Sequence, residues 1–440
     1  MKNNDITKKQ QSPDAVHTHT HTHGYFTINK KVIIVIAIIL IIILITTLAI
    51  VILSKKQKAT ILEAQKTDLN LQDNEHMHIE IDASGDKVPV PNGYVGSKVM
   101  GENEINTGYV IYEGEEEVND TNKDEAQKSR NQYVWVPVPD ISKFYGTDSN
   151  GKKWGKLYEF TNRTSSDALI DEVTGTYPLN WSESNGIMKI NSKTSYREPG
   201  IVPKGNDSFF EIFDDGDSRL KELGREFTIK ARTAHEFLNQ LEREFNNMLA
   251  SVEKYGGFYI GRYETGNFRK KQLVVQKGNS DIASISWYNI YEKCKNLKGK
   301  NTNIETGIIW GNQWDRTLMW LIETGSKTKK EICEDSISWG NYEDATFEYI
   351  NSSGNTEIKN KGNWTAIPTG STEYTKANNI YDLAGNMWEW AMEAHETSSR
   401  NARGGGNADY SVSGTADSRT SEIEHILMSE SSCRAMLVIK

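Results

Sequence analysis

A loop-rich α+β fold is what this sequence predicts, on three observations. Helix-period runs are few, Gly, Asn, Ser and Thr are spread along the whole length, and short β-branched and aromatic runs recur between turn formers. The 440 residues suit a single large domain with appendages. A net charge of −9 gives a nucleic-acid partner no electrostatic support.

The chain opens with a polar tail, Met1–Lys31, carrying the alternating His17, His19, His21 and His23. An extended chain would put all four imidazoles on one face, a soft site for zinc, copper or nickel; the plainer expectation is a low-complexity tail. Val32–Leu53 is an uncharged apolar run. Its length matches the roughly 30 Å hydrocarbon of a bilayer, so it predicts an uncleaved single-pass membrane anchor. Lysines flank it on both sides, and the positive-charge rule leaves the orientation nearly tied. Ser54–Ser84 is a charged spacer read as a stalk, and Gly85–Lys440 is the expected folded domain.

Within that domain "NTGYVIYEG" and "NQYVWVPVPD" predict the strands of a hairpin. Between them, the acidic stretch Glu115–Glu125 reads as a solvated loop rather than a calcium loop. The Tyr177–Pro203 segment is rich in turn formers. "TAHEFLNQLEREFNNMLASVEKYG" is the clearest helix: Phe237, Leu238, Leu241, Phe245, Met248, Leu249 and Val252 recur at three-and-four spacing. Thr233 with Glu236 fits a capping box, and Gly256 a C-terminal stop. "GGFYIGRYETG" predicts a strand, "SISWYNIYEKCKNL" a strand leading into a helix, and "GIIWGNQWDRTLMWLIETG" a helix burying Trp314, Leu318 and Leu321. Cys294, Cys333 and Cys433 lack zinc spacing and allow one disulfide at most; buried small hydrophobes are the simpler reading. "IYDLAGNMWEW" breaks any helix at Gly385–Asn386, so it predicts a strand and turn with buried tryptophans.

Several stretches in order resemble the formylglycine-generating enzyme (sulfatase-modifying factor) superfamily, best over 131–440. "VWVPV", "GFYIGRYETGN", "SISWYNIYEKC", "WGNQWDRTLMWLIETG" and "SWGN" are similar to its successive motifs; "YDLAGNMWEW", "ARGGGN" and "SCRAML" complete the series. The resemblance implies a C-type-lectin-like sulfatase-modifying-factor fold, here preceded by one transmembrane helix. Catalytic members hold copper with a cysteine pair, but the matching positions are Asp409 and Gly414, so copper is not expected and no catalytic residue is assigned.

By the same resemblance, Asp382, the carbonyls of Gly385 and Met387, and Glu389 would bind structural calcium. The alternative is that Asp382 caps a turn and Glu389 pairs with Arg403 or Arg434. The implied function is a membrane-anchored, surface-exposed, non-catalytic binding domain, extracellular because weak calcium sites need millimolar calcium. Its ligand is a protein or glycan, met by the loop Asn401–Arg419 and the Tyr177–Pro203 segment. Arg403, Asn407, Asp409, Tyr410 and Arg419 are the candidate contacts by position. Two other readings stand beside it: a related oxidoreductase with a different metal site, built from Asp409 with His395 or His425, and a structural component of a cell-envelope or phage-derived assembly. Turnover with added copper or iron marks the second, and stable self-assembly the third.

Overall fold

The structure is a computed structural model describing residues 71–147, 151, 153–159, 171–172, 234–266, 273–279, 283–396, 399–423 and 428–440. All lie in the compact unit Thr60–Lys440. The histidine tail, Val32–Leu53, the Tyr177–Pro203 segment, His425 and the side chain of His395 lie outside the described residues.

Two sheets carry the architecture. In chain order their strands are β1 (Tyr94–Gly96), β2 (Val110–Glu113), β3 (Gln132–Pro137), β4 (Gly257–Gly261), β5 (Ala283–Ile285), β6 (Ile304–Ile308), β7 (Trp388–Glu396), β8 (Ser399–Arg403), β9 (Arg419–Ile423), β10 (Met428–Cys433) and β11 (Ala435–Ile439). The first sheet is antiparallel throughout, in the order β6-β11-β4-β3-β2-β1; the second runs β5-β10-β7-β8-β9, with β7 and β10 parallel. Every residue of β3, β4 and β11 is buried, which explains why "YVWVP", "GFYIG" and "AMLVI" are near-continuous apolar runs rather than alternating ones.

The helices are α1 (Lys123–Ser129), α2 (Ala234–Tyr255), α3 (Trp287–Lys295), α4 (Gly311–Glu323) and α5 (Lys329–Cys333). α2 buries Leu241, Phe245, Met248, Leu249 and Val252, the stripe its periodicity predicts, against β4 and β11. Gly256 ends it at φ +81°. α4 buries Trp314, Leu318 and Leu321 and packs on β3 and β7. The acidic insertion turns into α1 at Lys123, and Met77–Ile81, inside the stretch read as a stalk, pairs as a hairpin with Lys87–Pro91 of the expected domain.

Two expectations are corrected. Strand is the dominant regular structure, in a curled antiparallel sheet with few helices, so the α+β, C-type-lectin-like description does not stand. The physical reason is closure at long range. β11, the last strand, enters between β4 and β6, and short runs that read as isolated strands and loops join one continuous sheet. Second, no helix among the described residues is long and apolar enough to cross a membrane. The single-pass anchor, and the cell-membrane location with an extracellular domain that rested on it, thus have no support in the described residues, which do not include Val32–Leu53, and are not carried further.

Candidate functional site

"YDLAGNMWE" forms a tight turn between the short strand Ile380–Tyr381 and β7. Three residues sit in the left-handed region: Asp382 (φ +60°), Gly385 (φ +70°) and Asn386 (φ +63°). A Cβ on Gly385 would lie 2.4 Å from the carbonyl oxygen of Asn341, so only glycine fits there.

The turn is a buried polar node. Asp382 Oδ2 accepts from Thr369 Oγ1 at 2.8 Å and Gly370 N at 2.9 Å. Glu389 accepts twice from Arg434, from Nε at 2.8 Å and from Nη2. Asn386 donates to Glu264 Oε2 at 2.5 Å and accepts from Asn341 and from the Ile367 amide. Glu264 Oε1 has no hydrogen-bond partner among the described residues. Burial, then the nearby Asp382 and Glu389 charges, raise the Glu264 carboxyl well above the usual carboxylate range. Burial also raises Asp382, and raises Glu389 to about 7 despite Arg434.

Of the expected calcium ligands, Glu389 is thus held by a guanidinium at both oxygens, and the Gly385 carbonyl accepts from Met387 N at 2.9 Å. A hard cation needs several free oxygens. Arg434 thus supplies a positive charge at Glu389, the ion pair that stands as the alternative to calcium, while Asp382 Oδ1, like Glu264 Oε1, is a buried acceptor with no hydrogen-bond partner among the described residues.

A second buried cluster lies under the Gly-rich loop. Arg403 Nη1 reaches Glu393 Oε2 at 2.9 Å and its Nη2 meets Asp315 Oδ1; Arg419 Nε reaches Glu393 Oε1 at 2.8 Å and its Nη2 Asp315 Oδ2 at 2.6 Å. Two guanidinium forks thereby satisfy two carboxylates, joining α4, β7, β8 and β9. Gly405 (φ +77°) allows the chain above to double back, since a Cβ there would lie 2.0 Å from the Gly414 carbonyl oxygen.

The candidate contacts separate accordingly. Arg403 is wholly buried and Arg419 nearly so, both committed to this cluster. Asn407 is buried, its amide donating to Asn386 O at 3.0 Å. Asp409 is half-buried and accepts from Gly406 N at 2.8 Å. Only Tyr410 stands out, 49% exposed, its hydroxyl 3.2 Å from Glu343 Oε1. Asp409 and Gly414 do come together: a Cβ on Gly414 would lie 2.6 Å from that of Asp409.

Tyr410 has company that the sequence did not single out. Among the described residues the exposed large apolar side chains are Ile81, Met100, Ile350, Ile358, Trp364, Tyr410 and Val412. The last five belong to two segments, 341–365 and 407–413, stitched together by backbone and side-chain bonds. Glu343 N donates to Asp409 O at 2.8 Å, Ser411 N and Oγ to Asp344 at 3.1 and 3.0 Å, and Gly362 N to Glu343 O at 2.7 Å. The hairpin Phe347–Ile350 with Thr356–Lys359 turns Phe347 and Tyr349 inward and Ile350 and Ile358 outward. Trp364 is 64% exposed at the end of this run, in "KNKGNWTAI". A lone tryptophan among Lys, Asn and Gly was the available signal.

No protein-family model matches the chain, and no curated protein matches it. Among solved structures, Treponema denticola variable protein 1 is similar at 14% identity with a TM-score of 0.28, covering 42% of this chain and 85% of that one. A likeness at that level carries no argument about fold or function.

Proposed function

We propose that the folded unit is a non-catalytic binding module whose ligand surface is formed by segments 341–365 and 407–413. The observation that carries this reading is the concentration of exposed Ile350, Ile358, Trp364, Tyr410 and Val412 on two bonded segments. Scattered exposed apolar residues mean little, but aromatic anchors gathered on one region mark interfaces. The mixture of aromatic and aliphatic groups favours a protein ligand over a glycan, because aliphatic side chains gain most from meeting apolar protein surface.

The buried charge clusters serve this surface by holding its frame rigid, which lowers the ordering cost of binding. Arg403 and Arg419 fix the strands on either side of the Gly-rich loop, and Asn386 and Asn407 fix its base. In this reading the loop residues Arg403, Asn407 and Arg419 position Tyr410 and Val412 rather than touch ligand.

The test is capture of a protein partner from source-cell extract, with binding then measured against the purified partner. Replacing Trp364, Tyr410 and Val412 together by serine is expected to weaken binding at least about 30-fold, as expected when an anchor worth about 2 kcal/mol is lost, with the melting midpoint unchanged. Undiminished binding by the triple variant, or capture of a glycan through another face, contradicts the proposal.

A further inference from the structure

Cys294 on α3 and Cys433 at the end of β10 are both fully buried, and their sulfur atoms lie 3.2 Å apart. That is inside the ordinary van der Waals separation of two sulfurs. A disulfide needs about 2.05 Å, so closing it asks for a shift of about 1.2 Å, within reach of side-chain rotation and a small movement of α3.

We propose that Cys294 and Cys433 are a disulfide-forming pair that locks α3 onto the β10–β11 end of the chain. The reaction is thiol–disulfide exchange with a low-molecular-weight disulfide such as oxidised glutathione. One cysteine thiolate attacks that disulfide and releases one glutathione thiolate. The second cysteine thiolate then attacks the protein-side sulfur of the mixed disulfide and releases the other. Two protein thiols lose two protons and two electrons; one glutathione disulfide takes them up as two thiols.

Burial raises the Cys294 thiol well above its ordinary range, so the docked pair reacts slowly. The exchange runs when α3 opens, and closure then shields the bridge. The link spans 139 residues of sequence, a long loop of the kind whose closure restricts the unfolded chain most. It also joins β10 just before Arg434, the residue that clamps Glu389.

The experiment equilibrates the full chain with oxidised and reduced glutathione in mild denaturant, quenches with acid, then alkylates under full denaturation and maps the peptides. The expected result is a Cys294–Cys433 cross-linked peptide pair with Cys333 alkylated, a higher melting midpoint than the reduced chain, and resistance to dithiothreitol until denaturant is added. Cys333→Ser should retain the bridge, whereas Cys294→Ser should leave Cys333 and Cys433 both alkylated. Three alkylated cysteines in the oxidised sample, or a bridge to Cys333, overturns the proposal and leaves Cys294 and Cys433 as packed thiols.

Discussion

Replacing Arg403 by methionine is expected to destabilise the folded unit by about 3–5 kcal/mol, the usual cost of removing one partner from a buried ion pair. Its side chain, like those of Asp315 and Glu393, is fully buried, and the two carboxylates would be left to share Arg419 alone. Neither carboxylate can recover its hydration without opening β7–β8 or lifting α4. The equivalent change at Arg419 should cost less, because its side chain sits 9% exposed and water can substitute there. Urea denaturation with a constant m-value measures both. A loss below about 1 kcal/mol for Arg403→Met would mean that the cluster relaxes freely and does not brace the loop above it.

The second large effect is a stability that falls as pH rises. Glu264, Asp382 and Glu389 all hold their protons more tightly folded than unfolded. Their contribution is complete below the ordinary carboxylate value near 4.5 and is lost as pH climbs through the raised folded values, about 7 for Glu389. Each pH unit over which the folded chain holds one extra proton removes about 1.4 kcal/mol. Glu264→Gln keeps an acceptor for Asn386 and removes a buried charge. It should therefore stabilise the protein at pH 8 and flatten the slope between pH 5 and 8. Denaturation at a series of pH values reads this directly. Millimolar calcium should leave the wild-type slope unchanged, since Arg434 already occupies Glu389; stabilisation by calcium at pH 8, abolished by Glu389→Gln, would reinstate the metal.

Local pattern told most about elements and least about their assembly. The stripe of α2, its stop at Gly256 and the buried tryptophan face of α4 were all legible, because helical spacing and glycine chemistry act over a few residues. The pairing of β3 with β2 was legible for the same reason. That β11 would insert between β4 and β6 was not, since strand order depends on contacts between residues far apart in sequence. In the site, the polarity of "NARGGGNADYSVSG" marks a loop, but its first three residues belong to β8, and polarity alone does not say which side chains turn inward. Arg403 and Arg419 are candidate ligand contacts by position alone, whereas the fold places them in β8 and β9 with their side chains turned inward. Their acidic partners Asp315 and Glu393 lie on other elements, 88 and 10 residues away from Arg403. Trp364 and Glu264 were passed over because each acquires its meaning only from neighbours brought by the fold. The apolar run Val32–Leu53 remains a feature of the sequence outside the described residues, and the binding proposal does not depend on it.

The central claim, that segments 341–365 and 407–413 are the ligand surface, is tested most directly by site-specific photo-cross-linking. A photoreactive amino acid would be placed at Tyr410 in one sample and at Met100, 89% exposed and distant in sequence from these segments, in another. The account predicts one discrete cross-linked protein from position 410, competed by excess unlabelled wild type, and none from position 100. Equal cross-linking from both positions, or a product from position 100 alone, would contradict it.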